Sequence, residues 1–466
     1  MKQIVRTRIP PSPTGQDLHI GNLYTALINF VFAKKNQGSF ILRIEDTDRT
    51  RYVAGAETRI MDSLKWAGVT YDEGPDVGGP HSPYRQSERL SLYKKHAEEL
   101  VEKAHAYYCF CTTERLTQMR QEQEAKHLPP MYDGLCKTIS LSEAKTRAQS
   151  EKYVIRLNVP DDGVTTFTDI IRGEVSFENK LIDDQVLLKS DGYPTYHLAV
   201  IVDDYLMKIT HVIRGEDWIS STPKHVLLYH MLGWELPHYA HLPLLRNPDK
   251  SKLSKRKNPV WVSWYRERGF LPEALVNYLG TLAWSMPDGR DIFSLNEMMQ
   301  QFDLRNVKTT APIFNIEKLM WFNGEYIRKM SPKELLNRLK DYLSKDVDEK
   351  LVEQLLPLAQ ERLKKLTDFV EYLKPFQSFS RPTLIAAERE ILNQFLSVYK
   401  QLLPWKRETL EKESKGLISK ENWKLRDALL AVRVAVTGTK IGLPLFETLE
   451  ILGKDEVIKR LQLVLD

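Results

Sequence analysis

The chain has 466 residues with Lys+Arg 67 against Asp+Glu 62, a formal net charge of +5. Hydrophobic residues at 42% and charged residues at 28% exclude a disordered, collagen-like or fibrous chain. The mild excess of base excludes a histone-like polycation and is compatible with nucleic acid bound on a local patch. At roughly 150 residues per domain, about three domains are expected. Three cysteines do not make a secreted disulfide framework. The opening MKQIVRTRIPPSPTG lacks the apolar stretch of a signal peptide, and no apolar run approaches the ~18 residues of a membrane helix. A soluble, cytoplasmic protein is the expectation.

In chain order, Gln3–Ile9 reads as a strand ending in the Pro10–Gly15 turn. His19–Lys35 reads as a helix, with Ile20, Leu23, Leu27, Ile28, Val31 and Phe32 at helical spacing. Ser39–Ile44 is a second strand and Gly55–Ala67 a second helix. Strand–helix alternation predicts an α/β fold with a parallel, Rossmann-like sheet. From about Tyr84 to Tyr196 the pattern changes to helical stretches, the three cysteines and antiparallel-looking runs such as Tyr153–Val159, which reads as an insertion. Thr195–Val202 and Ile209–Ile213 resume the α/β pattern. Residues 351–466 hold only four glycines, and apolar series such as Leu363, Leu366, Phe369 and Leu373 predict an all-helical C-terminal domain.

Three segments carry chemistry. In PSPTGQDLHIGN, residues 11–22, a Pro/Gly turn opens a helix, whose N-terminal amides and dipole attract phosphate. Gly21 lets a base or ribose approach the backbone, and His19 is placed to donate to phosphate oxygens. The plainer reading is a capped turn. In KSKLSKRKN, residues 250–258, five of nine residues are Lys or Arg, enough to bring ammonium groups onto a triphosphate. RIEDTD (43–48) and VIRGED (212–217) are apolar strands with charged ends, where open α/β sheets bind ligands. There Glu45 suits an ammonium, and Arg214 and Arg8 suit carboxylates. No Gly-x-Ser-x-Gly elbow or Walker loop is present, and adenylyl transfer needs neither.

PSPTG with HIGN, RIEDTDRTR, SPYRQSERLSLY, LLKSDGYPTYHLA, THVIRGEDW, LPLLRNPD, KLSKR and FLPEALVNYLG occur in an order that resembles the bacterial and organellar glutamyl-tRNA synthetases. The strong motifs span residues 1–325. HIGN with KLSKR resembles the class I signature, and PSPTG with RIEDTD narrows it to the glutamate enzymes. The resemblance implies ATP-dependent formation of glutamyl-adenylate, then transfer of glutamate to tRNA(Glu), with ATP, Mg2+ and L-glutamate as small-molecule partners. A non-discriminating enzyme that also glutamylates tRNA(Gln) is the alternative. It further implies His19, Gly21, Lys252, Ser254 and Lys255 as catalytic, with Asp217 and Leu253 joining His19, Gly21 and Lys255 around ATP. Arg8, Ser12, Glu45, Tyr196 and Arg214 match the amino-acid site, and Arg51 and Arg362 match tRNA contacts. The implied domains are 1–85 with 197–257 (catalytic), 86–196 (inserted, acceptor stem), 258–322 (stem contact) and 323–466 (helical, anticodon), in a monomer without membrane contact.

The chain departs from that pattern in places. Gln16, Asp17 and Leu18 separate Gly15 from His19 where relatives have two residues, so the loop should bulge. Pro10 replaces an alanine and Val200 an asparagine. Some relatives bind structural zinc through Cys-x-Cys and Cys-x-His. Here Cys109, Cys111 and Cys136 are kept and Thr138 replaces the histidine. Tyr132 or water as fourth ligand, or three reduced thiols without metal, are both open readings.

Overall fold

A computed structural model describes residues 4–251, 253, 259–383 and 386–466. The chain forms two compact units. One holds the described residues up to Tyr265 together with Pro272–Ile316, and the other holds Arg266–Leu271 with Glu317–Asp466.

In the first unit the order begins β1 (Arg6–Ile9), α1 (Ile20–Lys35), β2 (Ser39–Leu42), α2 (Ala56–Trp66) and α3 (Leu90–Glu102). It continues β3 (Ala106–Cys109), α4 (Thr113–Ala125), α5 (Leu141–Arg147), β4 (Val154–Leu157), β5 (Val164–Asp169), β6 (Gly173–Glu178) and β7 (Val186–Leu188). Then follow α6 (Tyr196–Leu206), β8 (His211–Gly215), α7 (Thr222–Leu232) and β9 (His238–Leu242). The expected parallel pairing is present: β1 runs beside β2 with Arg8 opposite Ile41, and β8 beside β9 with Arg214 opposite His241. The Thr210 N–H donates to the Arg6 carbonyl at 3.0 Å, which sets the start of β8 against β1. The antiparallel reading of 153–159 also holds, since β4 pairs with β3 and β7. The β5–β6 hairpin, inside the stretch expected as an insertion, joins β9 instead, with Asp169 opposite Tyr239 and Phe167 packed on Tyr239.

Ten of the sixteen residues of α1 are buried, all but Asn29 of them apolar or aromatic, because the helix meets neighbours on several sides. Among those neighbours are β1 and two later helices, α9 (Pro272–Ala283) and α10 (Leu295–Gln301), which follow the short α8 (Val262–Glu267). Residues 272–316, expected in the stem-contact region, thus pack with the first unit. A second core, built on Tyr93, Leu100, Ile155, Leu187, Leu198 and Leu228, joins α3, β4, β7, α6 and α7.

Two adjacent acids on α6, Asp203 and Asp204, are buried and hold this unit together by charge. Asp203 accepts from Gln86 Nε2 at 2.9 Å, Arg89 Nε at 2.7 Å and the Tyr93 hydroxyl at 2.8 Å. Asp204 accepts from Arg8 Nε at 3.1 Å and Arg43 Nη1 at 2.7 Å. Burial alone would raise the pKa of Asp204, but Arg8 and Arg43 hold it below the ordinary carboxylate range.

The second unit is helical, as expected. It contains most of α11 (Ile316–Lys329) and then α12 (Pro332–Leu339), α13 (Glu349–Gln360), α14 (Asp368–Gln377) and α15 (Ala386–Gln401). It ends with α16 (Arg407–Lys420), α17 (Leu425–Thr437), α18 (Leu445–Leu452) and α19 (Lys454–Leu465) around Phe395, Tyr399, Val432, Leu449 and Leu461. The helical series around Leu363 is broken over 361–367. The Lys364 carbonyl accepts from Asn323 Nδ2 at 2.7 Å, the Leu366 N–H donates to Gly269 at 2.9 Å, and Asp368 takes the N–H groups of Lys364 and Lys365. Arg362 therefore sits exposed in a turn rather than on a helix face. No helix among the described residues is long and apolar enough to cross a membrane.

Asp203→Ala would leave Arg89, Gln86 and Tyr93 buried without their acceptor. Its stability should fall by about 3–5 kcal/mol, whereas Glu98→Ala, which breaks the exposed Lys94–Glu98 pair, should change it by less than about 1 kcal/mol. Urea unfolding of both variants checks this; equal midpoints would contradict it.

Candidate active site

The first unit contains a cavity of about 930 Å³ at the C-terminal ends of β1 and β8. Arg8, Ser12, Glu45, Tyr196 and Arg214, the five expected amino-acid contacts, all line it. So do His19, Gly21, Asp217, Leu253 and Arg51. Lys252, Ser254 and Lys255 lie outside the described residues. Arg362 belongs to the other unit.

The start of α1 differs from the expected phosphate cradle. His19 is the N-cap, and its Nδ1 accepts from the Gly21 N–H at 3.0 Å. The Ile20 N–H donates to the Val260 carbonyl at 2.7 Å, and those of Asn22 and Leu23 donate to the His19 carbonyl. The first-turn amides are thus used internally, and what α1 presents to a phosphate is its dipole and the imidazole. Because Nδ1 accepts, the neutral ring carries its proton on Nε2. A Cβ at Gly21 would lie 3.1 Å from His19 Nδ1, so this glycine also fixes the ring beside the backbone. The lengthened loop before α1 is tied down through Asp17. Asp17 is buried, accepting from the Ser63 hydroxyl at 2.8 Å and the Ser263 N–H at 2.7 Å.

The two arginines are held in opposite ways. Arg8 is 1% exposed, and Asp204 takes its Nε, while its Nη1 and Nη2 are buried without a hydrogen-bond partner. An unpartnered buried donor is unfavourable, and a ligand carboxylate would satisfy both nitrogens at once. Arg214 is 5% exposed and meets only neutral acceptors: His241 Nε2 at 3.1 Å, His225 Nδ1 at 3.2 Å, Thr222 Oγ1 at 2.8 Å and the Tyr196 hydroxyl at 3.4 Å. Among the described residues it makes no ion pair, so its charge is available to an anion. Tyr196 rests on Trp218, with ring centroids 4.2 Å apart.

Glu45 lies 3.2 Å from Arg43 Nη2. Burial pushes its pKa up to about 7, against the pull of Arg43 and Arg8. A cation arriving beside it would restore the carboxylate. Sequence reasoning missed Arg43, Asp204, Thr222, His225 and His241. Arg43 stood inside a quoted motif, but nothing in spacing shows that a guanidinium turns inward.

The cysteines form a separate cluster. The three Sγ atoms lie within 4.8 Å of one another, and Cys111 and Cys136 are 3.6 Å apart. A tetrahedral zinc with ~2.3 Å Zn–S bonds sets sulfurs ~3.8 Å apart, so the set fits the ion. The Tyr132 hydroxyl stands 3.2 Å from Cys111 Sγ and 3.5 Å from Cys109 Sγ, at the open corner. The hydrogen bond from Cys136 outweighs burial and, with Tyr132 and Arg156, pulls the Cys109 pKa down to about 4. Thr138 is exposed and donates to the Leu135 carbonyl, away from the cluster.

A parallel-sheet cavity gathers a histidine-capped helix start, two arginines and a glutamate, and the comparisons give the family. Residues 4–321 match the family model of class I tRNA synthetases (E and Q), catalytic domain, and residues 334–465 match an anticodon binding domain. The chain belongs to the class I tRNA synthetases of the E and Q type. It is 49% identical to the glutamate--tRNA ligase of Cellvibrio japonicus, covering 97% of this chain and 91% of that protein. It is 48% identical to that of Thermus thermophilus, over 98% and 99% of the two chains. The crystal structure of a glutamate tRNA ligase from Elizabethkingia meningosepticum in complex with its amino acid superposes with a TM-score of 0.87, at 36% identity and 99% coverage of both chains.

The pH dependence of ligand binding follows from Glu45. Free, it titrates at about 7; beside an ammonium its pKa falls. Binding of L-glutamate, the ligand expected from the sequence, should therefore release a proton below about pH 7, and affinity should weaken as pH falls through that value, by at most about tenfold per unit. Calorimetry in buffers of different ionisation heat measures the released proton. Glu45→Gln should flatten the profile, and a profile unchanged by that substitution would remove the assignment.

Proposed function

We propose that this chain ligates L-glutamate to tRNA(Glu) at the expense of ATP, acting as a cytoplasmic monomer. The observation that carries this reading is the pair of buried guanidiniums on one cavity, Arg8 with two unpartnered nitrogens and Arg214 with only neutral acceptors. A substrate with two carboxylates and one ammonium complements two guanidiniums and Glu45. An uncharged glutamine side chain would leave one guanidinium without an anion, which discriminates more strongly than any added contact.

In the first step a carboxylate oxygen of glutamate attacks the α-phosphorus of ATP and pyrophosphate leaves, giving glutamyl-adenylate. In the second, a ribose hydroxyl of the terminal adenosine of tRNA attacks the activated carbonyl and AMP leaves. Arg8, Arg214, Tyr196 and Ser12 orient the amino acid, and the Nε2–H of His19 faces the charge that develops on phosphate oxygens. Asp217, Leu253 and Gly21 bound the ATP side, and Lys252, Ser254 and Lys255 supply cationic and hydroxyl contacts to the phosphates. Mg2+ arriving with ATP would supply charge neutralisation at the phosphates.

Arg51, paired with Asp48 at the cavity edge, meets the acceptor end of tRNA. Arg362 reads the anticodon. Its support is the exposed turn and the proximity of Arg433, whose hold on its proton is weakened by burial and by the like charge of Arg362. The residues expected as inserted and stem-contact segments, 86–196 and 258–322, serve the acceptor arm, and 323–466 the anticodon. Charging of purified tRNA(Glu) and tRNA(Gln) with labelled glutamate tests this. Glutamate should appear on tRNA(Glu) alone, and Arg362→Gln should narrow the gap between the two; equal charging by the native chain would refute the specificity assigned here.

Cys109, Cys111, Cys136 and the Tyr132 hydroxyl hold one structural zinc in this reading. Metal analysis of untagged protein should give about one zinc per chain, lost in Cys136→Ser. A zinc content near zero in folded, active protein would dismiss it.

A further inference from the structure

Resting on the glutamate reading above, the geometry points to the buried pair Asp169–His241 as a positioning device that fixes Arg214 for carboxylate recognition without itself touching substrate.

The argument begins in the sheet. Arg214 on β8 and His241 on β9 stand opposite each other in a parallel ladder, so their side chains leave on the same face. Asp169, at the end of β5, reaches His241 from the other side. Its Oδ2 lies 2.6 Å from His241 Nδ1, and both residues are at most 1% exposed. A carboxylate only accepts, so His241 Nδ1 carries the proton and Nε2 presents a lone pair. That lone pair takes the Nε–H of Arg214 at 3.1 Å. A second imidazole does the same on the other edge, where His225 Nδ1 takes an Nη1 hydrogen at 3.2 Å and the His225 Nε2–H donates to His197 Nδ1 at 3.1 Å. Burial and the charge of Arg214 push the pKa of both rings down, against the pull of Asp169 on His241.

The consequence is electrostatic. A direct carboxylate partner of its own would hold Arg214 equally still but offset its charge, which Asp204, shared between Arg8 and Arg43, does only in part for Arg8. A neutral imidazole placed between Asp169 and Arg214 supplies an oriented acceptor while leaving the guanidinium's charge for the ligand. Asp169 sets the tautomer: its Oδ1 is occupied by the N–H groups of Ile171 and Arg172, both at 3.0 Å, which leaves Oδ2 for His241, while Thr222 Oγ1 also stands 3.2 Å from His241 Nε2.

Asp169→Asn exploits that occupancy. The amide oxygen is claimed by the two backbone N–H groups, so the NH2 faces His241 Nδ1 and drives the proton to Nε2, against the Arg214 N–H. The KM for glutamate in ATP–pyrophosphate exchange, run with tRNA present, should rise about ten- to hundred-fold, with the KM for ATP within about twofold and the thermal midpoint near that of the native chain. A glutamate KM that does not change, or both KM values rising together, overturns the positioning role. Long-range 15N–1H spectra of the native chain decide independently of whether the variant folds: His241 should be the Nδ1–H form, and an Nε2–H form overturns the proposal. A native chain with no glutamate-dependent exchange would overturn instead the reading on which the proposal rests.

Discussion

The site depends on burying positive charge without letting it be neutralised. Four arginines, at positions 8, 43, 89 and 214, are each at most 5% exposed around or beneath the cavity. Left alone, each would be too unfavourable to bury. The adjacent acids on α6 resolve the problem for three of them, Asp204 by taking Arg8 and Arg43, and Asp203 by taking Arg89. Arg214 is anchored by neutral groups, and the distal nitrogens of Arg8 are left over. The surplus faces the cavity, and in the reading proposed above this imbalance is what suits the pocket to an anion.

The same bonds join distant parts of the chain. Asp203 reaches Gln86, Arg89 and Tyr93, where the chain leaves for the stretch that carries the cysteines, and Asp204 reaches β1 and the end of β2. Substrate recognition and the stability of the first unit therefore share residues. A substitution at this centre should affect both.

Much of this was legible in the chain itself. Strand and helix alternation placed β1, α1, β2 and α2 to within a few residues, because each apolar run ends at glycine, proline or charge. The expected amino-acid contacts converge because they sit in the last residues of a strand, just past a strand end or at a helix start, where topology gathers them. What could not be read has physical causes. Whether a helix N-terminus offers its amides to a ligand depends on what else takes them, and His19 and Val260 do so here. The break at 361–367 depends on Asn323 and Gly269, far away in sequence. Buried histidines and acids look in sequence like exposed ones, so the partners of Arg214 were invisible until the sheet was formed.

The ladder between β8 and β9 has one more implication. Side chains alternate faces along a strand, so sliding either strand by one residue would carry Arg214 and His241 to opposite surfaces of the sheet. In the reading proposed above, the choice of amino acid is thereby encoded in the pairing frame of two core strands. A single-residue deletion within His238–Leu242 would erase it as completely as removing the arginine, while loops at the rim remain free to diverge.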